Sequence, residues 1–438
     1  MPDFAKALRQ MRGTEREREI RGLTPFAVRE GSDPEFPSPS LSPDSTFEGQ
    51  LQYLRVHSSK PSAIAIEDNL PSGEVESTPL GSHYLVRAVY AEDYYHGRVR
   101  LSRFSCSGLE CLMKLMREKG TVPSRGRIIF LDTETTGIQG GAGMCPFMVG
   151  LGFFSGGEFH MLQYFIRDFD EEPSMLYALG ELLSQFALVV TYNGAAFDIP
   201  LLESRFTLAR LDSPFRNMSH LDLLFTTRRL WRNGHGSCKL TALESEIICF
   251  LRGPDVPGSM IPRAYFDYLQ HRPSTTLRGV FTHNVYDVMS LAALTLQACD
   301  RVTMEPAPLD DPLDLYSLAR ILETSHDWRS AIRLYEMALA GGLAEPVREK
   351  ALEDLSVAYR RAGDHERSLD ACAQLMAYPE FSMVGYDGAA IYYERVRDDF
   401  DSALRVLEEG MARAGSKRWQ VLLKARWDRL QQKVIRYE

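Results

Sequence analysis

The chain has 438 residues, of which 44% are hydrophobic and 25% are charged, and its formal net charge is −9. This length is enough for two or three domains, and the composition is that of an ordinary globular protein. No run approaches about 18 consecutive apolar residues, which argues against a transmembrane helix. The alternating charges of MPDFAKALRQMRGTEREREIRGL at the start argue against a signal peptide.

The seven cysteines are scattered along the chain and form no CxxC pair. This spacing supports neither a disulfide framework nor a zinc site. We therefore expect a reducing, cytoplasmic compartment.

Residues 1–80 are expected to be largely disordered, because 24–46 is rich in Pro and Ser and poor in large apolar groups. Residues 81–125 are expected to form an accessory β-hairpin and helix that pack on the next domain. The run YLVRAVY at 84–90 alternates like a half-buried strand, and RVRLSRF is its expected partner. The segment GLECLMKLMREKG at 108–120 has the spacing of a short amphipathic helix.

Residues 126–303 have an α/β pattern. RIIFL at 127–131 is a continuous apolar run, typical of a strand buried on both faces. Two more strand-like runs, PFMVGLGFF and EFHMLQYFI, follow closely, and this succession predicts an antiparallel meander. Helical segments then alternate with the strand ALVVTY and end in HNVYDVMSLAALTLQA.

Residues 310–436 have only helical patterns. Aligning Ala331, Ser368 and Ala403 gives steps of 37 and 35 residues. These steps lie near the tetratricopeptide period of about 34 residues, and the segment resembles a short tetratricopeptide array. A plain helical bundle is the alternative. The resemblance implies a concave surface for a protein or peptide partner.

Two carboxylates end the first buried strand of the α/β segment. Asp132 and Glu134 are two residues apart, so they project from the same face of the strand. Adjacent carboxylates repel and are costly to desolvate unless a cation lies between them. An exposed pair at the sheet edge is the plainer alternative, so the interpretation depends on whether further carboxylates join them.

Two later segments supply such carboxylates. Asp198 in NGAAFDIP follows a strand and precedes a helix, although an Asp before a helical Pro is also a good N-cap. His283 and Asp287 in HNVYD are four residues apart and share one face of a helix. A local His–Asp pair without function is the alternative for these two.

In order, LDTETTG, NGAAFD and HNVYD resemble the three motifs of the DEDD superfamily of 3′–5′ exonucleases. The sequence around these motifs resembles the bacterial YprB-like branch of ribonuclease H-like proteins, which can carry tetratricopeptide repeats. The resemblance implies a ribonuclease H-like domain, with a mixed five-stranded sheet flanked by helices, over 126–303. One departure is His283, which stands where this spacing normally carries Tyr.

Carried over by position, the resemblance implies a site for two Mg²⁺ or Mn²⁺ ions. The implied metal ligands are Asp132, Glu134, Asp198 and Asp287. All four would be catalytic together with His283, whose role as general base is open. The expected substrate-binding residues are Thr135, Asn193, Arg228 and Arg229. His220 and Asp222 are expected to have a structural or substrate-channel role, and Tyr286 to pack.

The expected partner is nucleic acid, DNA or RNA, with a single-stranded 3′ end favoured. Residues 204–240 hold seven basic side chains against two acids, which is a plausible phosphate-facing patch, although a solvated helix face explains it more simply. Two other functions stay open. The domain could be a catalytically silent scaffold that acts through its repeats, or a structure-selective endonuclease with the same metal ions.

Overall fold

The structure is a computed structural model, and it describes residues 70–103, 110–116, 127–137, 143–232, 234–272, 276–303 and 311–437. The expected disorder of residues 1–80 falls mainly outside these ranges. Residues 74–78 form a strand, so regular structure begins before the predicted boundary at residue 81.

Seven strands form one mixed sheet in the order β1-β2-β7-β6-β5-β8-β9. Its strands are β1 Glu74–Thr78, β2 Gly81–Tyr90, β5 Ile128–Thr135, β6 Pro146–Ser155, β7 Glu158–Phe165, β8 Leu188–Thr191 and β9 Ser219–Asp222. The short strands β3 Tyr95–His96 and β4 Val99–Arg100 pair separately.

The predicted antiparallel meander is confirmed, because β6 pairs antiparallel with both β5 and β7. Strands β8 and β9 extend the sheet in parallel from β5. The five strands expected for residues 126–303 are present as β5 to β9, and β1 and β2 extend the same sheet beyond β7. The expected partner of residues 84–90 is wrong. These residues pair with β1 and β7, whereas RVRLSRF contributes only β4.

Fourteen helices lie in the described ranges. They are α1 Glu110–Leu115, α2 Glu172–Leu183, α3 Asp198–Leu208, α4 Leu223–Leu230, α5 Leu240–Glu246, α6 Ile261–Leu269, α7 Thr276–Thr303, α8 Pro312–Thr324, α9 Trp328–Ala340, α10 Val347–Ala362, α11 His365–Met376, α12 Met383–Arg395, α13 Phe400–Arg413 and α14 Lys417–Tyr437.

Strand β5 lies at the centre of the core, as its apolar run predicts. Its side chains alternate between two faces of the sheet. Ile128 and Phe130 pack with the C-terminal part of α7, and Ile129 and Leu131 pack with α2, α3 and α6. Asp132 and Glu134 continue the face of Phe130, so the alternation aims both acids toward α7.

The all-helical region follows α7. Ala331, Ser368 and Ala403 each occupy the fourth position of their helix, in α9, α11 and α13, and all three are buried. The helix pairs therefore recur at the aligned positions, while the resemblance to tetratricopeptide repeats stays a prediction. One continuous apolar cluster runs from β5 through α7 into α8, α9 and α10.

A disulfide joins Cys111 of α1 to Cys299 near the end of α7, with a Cα–Cα distance of 5.1 Å. The spacing of the cysteines did not indicate this bond, since residues 188 positions apart give no spacing signal. None of the helices in the described ranges is both long and apolar enough to cross a membrane.

Candidate metal and nuclease site

Asp132 and Glu134 lie near the end of β5, where the buried strand reaches α7. Burial raises the pKa of the Asp132 carboxyl well above its usual value, and the nearby carboxylates of Asp287, Glu134 and Asp198 raise it further. Burial and the charges of Asp287 and Asp198 act in the same way on the pKa of Glu134. These mutual effects place all four predicted acids in one cluster.

Glu134 has a buried oxygen without a partner. Its side chain is 7% exposed, and Oε1 has no hydrogen-bond donor among the described residues. A buried carboxylate oxygen without a donor is costly to desolvate unless a cation meets it. This oxygen is therefore a candidate ligand for a cation.

Asp132 is held from α7 by an asparagine that the motifs do not predict. Asn284 is fully buried and donates from Nδ2 to Asp132 Oδ2 at 2.9 Å. Its Oδ1 accepts a hydrogen bond from Gln163 on β7 at 3.0 Å. Gly150 on β6 provides the necessary space, because a Cβ atom there would lie 2.0 Å from Asn284 Oδ1. The Asn284 side-chain amide thus joins helix α7 to strand β5.

Asp198 begins helix α3 but does not cap it, because no side-chain cap hydrogen bond is made at this N-terminus. Its carboxylate accepts a hydrogen bond from the hydroxyl of Thr133 instead. Burial raises the pKa of Asp198 to about 6, although the bonds from Thr133 and from the backbone oppose this. The N-cap alternative for Asp198 therefore does not apply, and β5 fixes the residue toward the cluster.

Asp287 and His283 share one face of α7, as predicted, with 3.4 Å between Asp287 Oδ2 and His283 Nε2. The other ring nitrogen, Nδ1, lies 2.9 Å from Asp255 Oδ1. Arg252 donates from Nη2 to Asp287 Oδ1 and from Nη1 to Asp255 Oδ2. Burial raises the pKa of Asp287, and the charges of Arg252 and His283 oppose that rise.

Asn193 lies in the loop after β8 and has a left-handed backbone, with φ of 64°. Asp222 stabilises this loop by accepting hydrogen bonds from the backbone N–H groups of Asn193 and Ala195. It also caps α4 through Leu224. Asp222 is thus a structural carboxylate, consistent with the role that the sequence favoured for it.

The other expected substrate residues are placed differently. Thr135 follows Glu134 on β5, and its hydroxyl donates to Gly137 O at 2.8 Å. Arg229 donates to Leu115 O and to Thr324 Oγ1, so it joins α4 to α1 and α8. Arg228 is exposed. Arg205, another basic residue of the 204–240 segment, binds Glu172. At least two of the seven basic side chains thus have internal partners.

Sequence reasoning missed Thr133, Gly150, Asn284, Arg252 and Asp255. Asn284 could have been recognised from the sequence, because it is a polar residue on α7 and lies one position after His283. Helix α7 packs against the sheet, and Asn284 is on its buried side. Arg252 and Asp255 offered none, since they lie in a loop with no periodic pattern between α5 and α6. Tyr286 packs beside Phe250, with a ring distance of 5.1 Å, as expected.

The donor set fits a hard divalent ion, because four carboxylates with one unpartnered oxygen are the ligands that Mg²⁺ and Mn²⁺ prefer. As the side chains lie, no three His, Cys, Asp or Glu residues of the described part form a ready metal-binding group. Asn284, Thr133 and Arg252 instead hold oxygens of Asp132, Asp198 and Asp287, respectively.

Residues 129–298 match the model of the RNase_H superfamily. The chain is also 28% identical over 343 residues to the uncharacterized protein YprB of Bacillus subtilis (strain 168), a similarity that covers 75% of this chain and 81% of that protein. Together with the mixed sheet, these matches indicate a ribonuclease H-like fold for the α/β domain. The superfamily generally hydrolyses nucleic acids with divalent metal ions, which suggests a nuclease.

Proposed function

We propose that this chain is a divalent-metal-dependent nuclease, and specifically a 3′–5′ exonuclease that hydrolyses phosphodiester bonds. One observation carries the proposal. Asp132, Glu134, Asp198 and Asp287 meet in a buried cluster, in which burial raises the pKa of each acid and repulsion from the other acids further raises the pKa values of Asp132 and Glu134. Such a cluster is unfavourable for a structural role, because each buried acid is costly to remove from water and costly to place beside other acids. A silent scaffold is therefore the weaker explanation.

The four carboxylates would hold two Mg²⁺ or Mn²⁺ ions. Bound there, the ions would make a water molecule more acidic and stabilise the leaving oxygen of the phosphodiester. The protein contributes rigid placement. Asn284 fixes Asp132 and Thr133 fixes Asp198, so both acids are oriented before substrate arrives.

His283 is proposed to act on the attacking water. Nδ1 lies 2.9 Å from Asp255 Oδ1 and 3.3 Å from Arg252 Nη1. We propose that the closer carboxylate holds a proton on Nδ1, which leaves Nε2 free to accept another. Nε2 is the nitrogen on the side of Asp287. We assign Nε2 of His283 as the proton acceptor, with orientation of Asp287 as its alternative role.

A cleft of about 620 Å³ lies directly beyond β5 and is the proposed place for the terminal nucleotide. Thr136 and Gly137, which follow Glu134 closely, form one side. Phe266, Arg263 and Gln270 on or next to α6 form the other. An aromatic ring can stack a base and an arginine can meet phosphate, which suits a single strand. The C-terminal helices are proposed to bind a protein or peptide partner.

The test is degradation of 3′- and 5′-labelled DNA and RNA, single-stranded and duplex, with Mg²⁺ or Mn²⁺. We expect stepwise shortening from the 3′ end, and loss of cleavage in Asp132→Asn and Asp198→Asn, which remove ligand charge without changing volume. The exposed residue Asp212 gives a matched control, Asp212→Asn, which should cleave normally. Internal products indicate an endonuclease. Wild-type turnover in both cluster variants would refute the metal site.

A further inference from the structure

Arg252 is a largely buried cation inside the acidic cluster. Its side chain is 9% exposed and contacts carboxylates from three segments, those of Glu244, Asp255 and Asp287. Buried charges of this kind need well-placed partners, because each is costly to remove from water. The position of Arg252 next to a predicted metal ligand therefore calls for an explanation.

Glu244 is the anchor of this arginine. It is 1% exposed and accepts from Arg252 Nε at 2.7 Å and from Nη2 at 2.5 Å, so the pair is bidentate. The Ser290 hydroxyl on α7 donates to Glu244 Oε1 at 2.6 Å. His96 of β3 in turn lies 2.8 Å from Ser290 Oγ. The anchor is thus fixed from α5, α7 and the accessory hairpin.

One nitrogen of Arg252 is shared between two acids. Nη2 donates both to Glu244 Oε1 and to Asp287 Oδ1, whereas Nε stays on Glu244 and Nη1 on Asp255. The guanidinium can therefore release Asp287 and keep its contacts with Glu244 and Asp255. Asp287 is the only one of its three carboxylate partners that belongs to the predicted metal ligands.

We propose that Arg252 is a resident cation of the cluster, which holds Asp287 Oδ1 until a divalent ion takes that oxygen and then remains on Glu244. This inference rests on the proposed metal site. The guanidinium offsets part of the repulsion among the acids before an ion binds. In return it opposes the ion, both by occupying Oδ1 and by its own positive charge.

The test measures Mn²⁺ affinity, from the free Mn²⁺ signal in electron paramagnetic resonance and from the rise in melting temperature that Mn²⁺ causes. Replacing Arg252 alone would leave the buried Glu244 carboxylate without a cation, which would destabilise the fold. The informative comparison is therefore Glu244→Gln with Glu244→Gln/Arg252→Met. Gln at 244 can still accept the Ser290 hydroxyl, and Met conserves much of the arginine volume.

We expect Glu244→Gln to bind Mn²⁺ more weakly than the wild type, because Arg252 loses its anchor and turns to Asp287. The added Arg252→Met should then tighten binding by about tenfold relative to Glu244→Gln, since it removes the opposing charge. If Arg252 instead positions Asp287 for the ion, its removal will weaken binding or leave it unchanged, which overturns the proposal.

Arg205 and Glu172 give a matched control, because they form a second largely buried pair, between α3 and α2. Adding Arg205→Met to Glu172→Gln should leave Mn²⁺ affinity unchanged, and an equal tightening there would overturn the specific role of Arg252. The two proposals fail separately. Wild-type protein that binds no Mn²⁺ refutes the metal site itself, whereas normal Mn²⁺ binding without the Arg252 effect refutes only this inference.

Discussion

Asn284 of α7 donates a hydrogen bond to Asp132 of β5 across 2.9 Å, and this bond joins the helix that carries Asp287 to the strand that carries Glu134. The position of Asp132 is thus set by an amide that is fully buried and held by Gln163 on its other side. Several functional expectations depend on this junction.

Asn284→Ala removes the donor to Asp132 and leaves the Gln163 amide without its acceptor at this position. We expect cleavage to fall by roughly 10- to 100-fold, as for other residues that orient metal ligands. The free energy of unfolding should fall by about 1–3 kcal/mol. Thr295→Val is the control on the same helix, because the buried Thr295 hydroxyl donates within α7, to Leu291 O. Unchanged cleavage in Asn284→Ala would contradict this role.

Gly150→Ala tests the same junction from β6. The added methyl group would lie 2.0 Å from Asn284 Oδ1, so the amide must move and Asp132 must lose its donor or shift. We expect a fall in cleavage comparable to that of Asn284→Ala, measured at saturating metal. Gly415→Ala, at a position with no atom within 4 Å of the added Cβ, should be harmless. Equal activities of the two glycine variants would show that the contact is unimportant.

The raised pKa of Asp198 predicts a pH-dependent stability when no divalent ion is added. Its pKa is about 6 in the folded chain and near 3.8 when unfolded, so the folded state prefers the protonated acid. The related stability is present below about pH 4 and is lost as the pH rises to about 6. The loss amounts to at most about 3 kcal/mol for a shift of this size.

Asp198→Asn should remove this pH dependence. We therefore expect the melting temperature of the variant, relative to the wild type without metal, to be higher at pH 7 than at pH 4. Asp222→Asn is the matched comparison, because Asp222 accepts three backbone hydrogen bonds, and its replacement should lower the melting temperature. A constant difference between Asp198→Asn and wild type across this range would contradict the assignment.

His283→Ala should lower cleavage by about 10²–10⁴-fold if Nε2 accepts the proton from the attacking water. Asp255→Asn keeps a polar group near Nδ1 but removes the charge beside it, and should cause a smaller loss. His283→Tyr, the residue that this spacing normally carries, should restore part of the rate. A loss below tenfold in His283→Ala would leave His283 only the role of orienting Asp287.

Truncation should show which of the C-terminal helices belong to the apolar core around α7. A chain ending at residue 303 exposes the apolar surface that packs on α8 and is expected to aggregate, because Leu315, Leu318 and Ile321 belong to the cluster around α7. A chain ending at residue 364 retains that cluster, which extends to Tyr359, and should fold and cleave short oligonucleotides. Scattering and cleavage assays compare the two. A soluble, active 1–303 chain would contradict the shared core.

Much of this architecture is predictable from local pattern. The apolar run before Asp132, the meander and the helix with His283 and Asp287 each have a clear periodicity, and the structure agrees with all three. The extension of the sheet by β1 and β2 was not expected, because β1 lies in a segment without a strong alternating pattern and because the pairing of β2 with β7 is long-range. The pairing partner of a strand about 75 residues away cannot be read from the sequence of either strand alone.

The supporting side chains of the candidate site illustrate the same limit. Arg252 and Asp255 reach His283 and Asp287 from an irregular loop, and Gly150 matters only because Asn284 lies opposite it. Such contacts depend on tertiary packing, and a single sequence does not encode them in spacing. The carboxylates themselves were accessible to prediction, because strand and helix periodicity fix the faces on which they lie.

Helix α7 has 28 residues and so extends for about 42 Å. Its first half carries His283, Asn284 and Asp287, and its second half is buried against α8 and bonded through Cys299 to α1. One continuous helix therefore joins the candidate site to the helical region, so the placement of His283 and Asp287 depends on how the other end of α7 is held by α8 and α1.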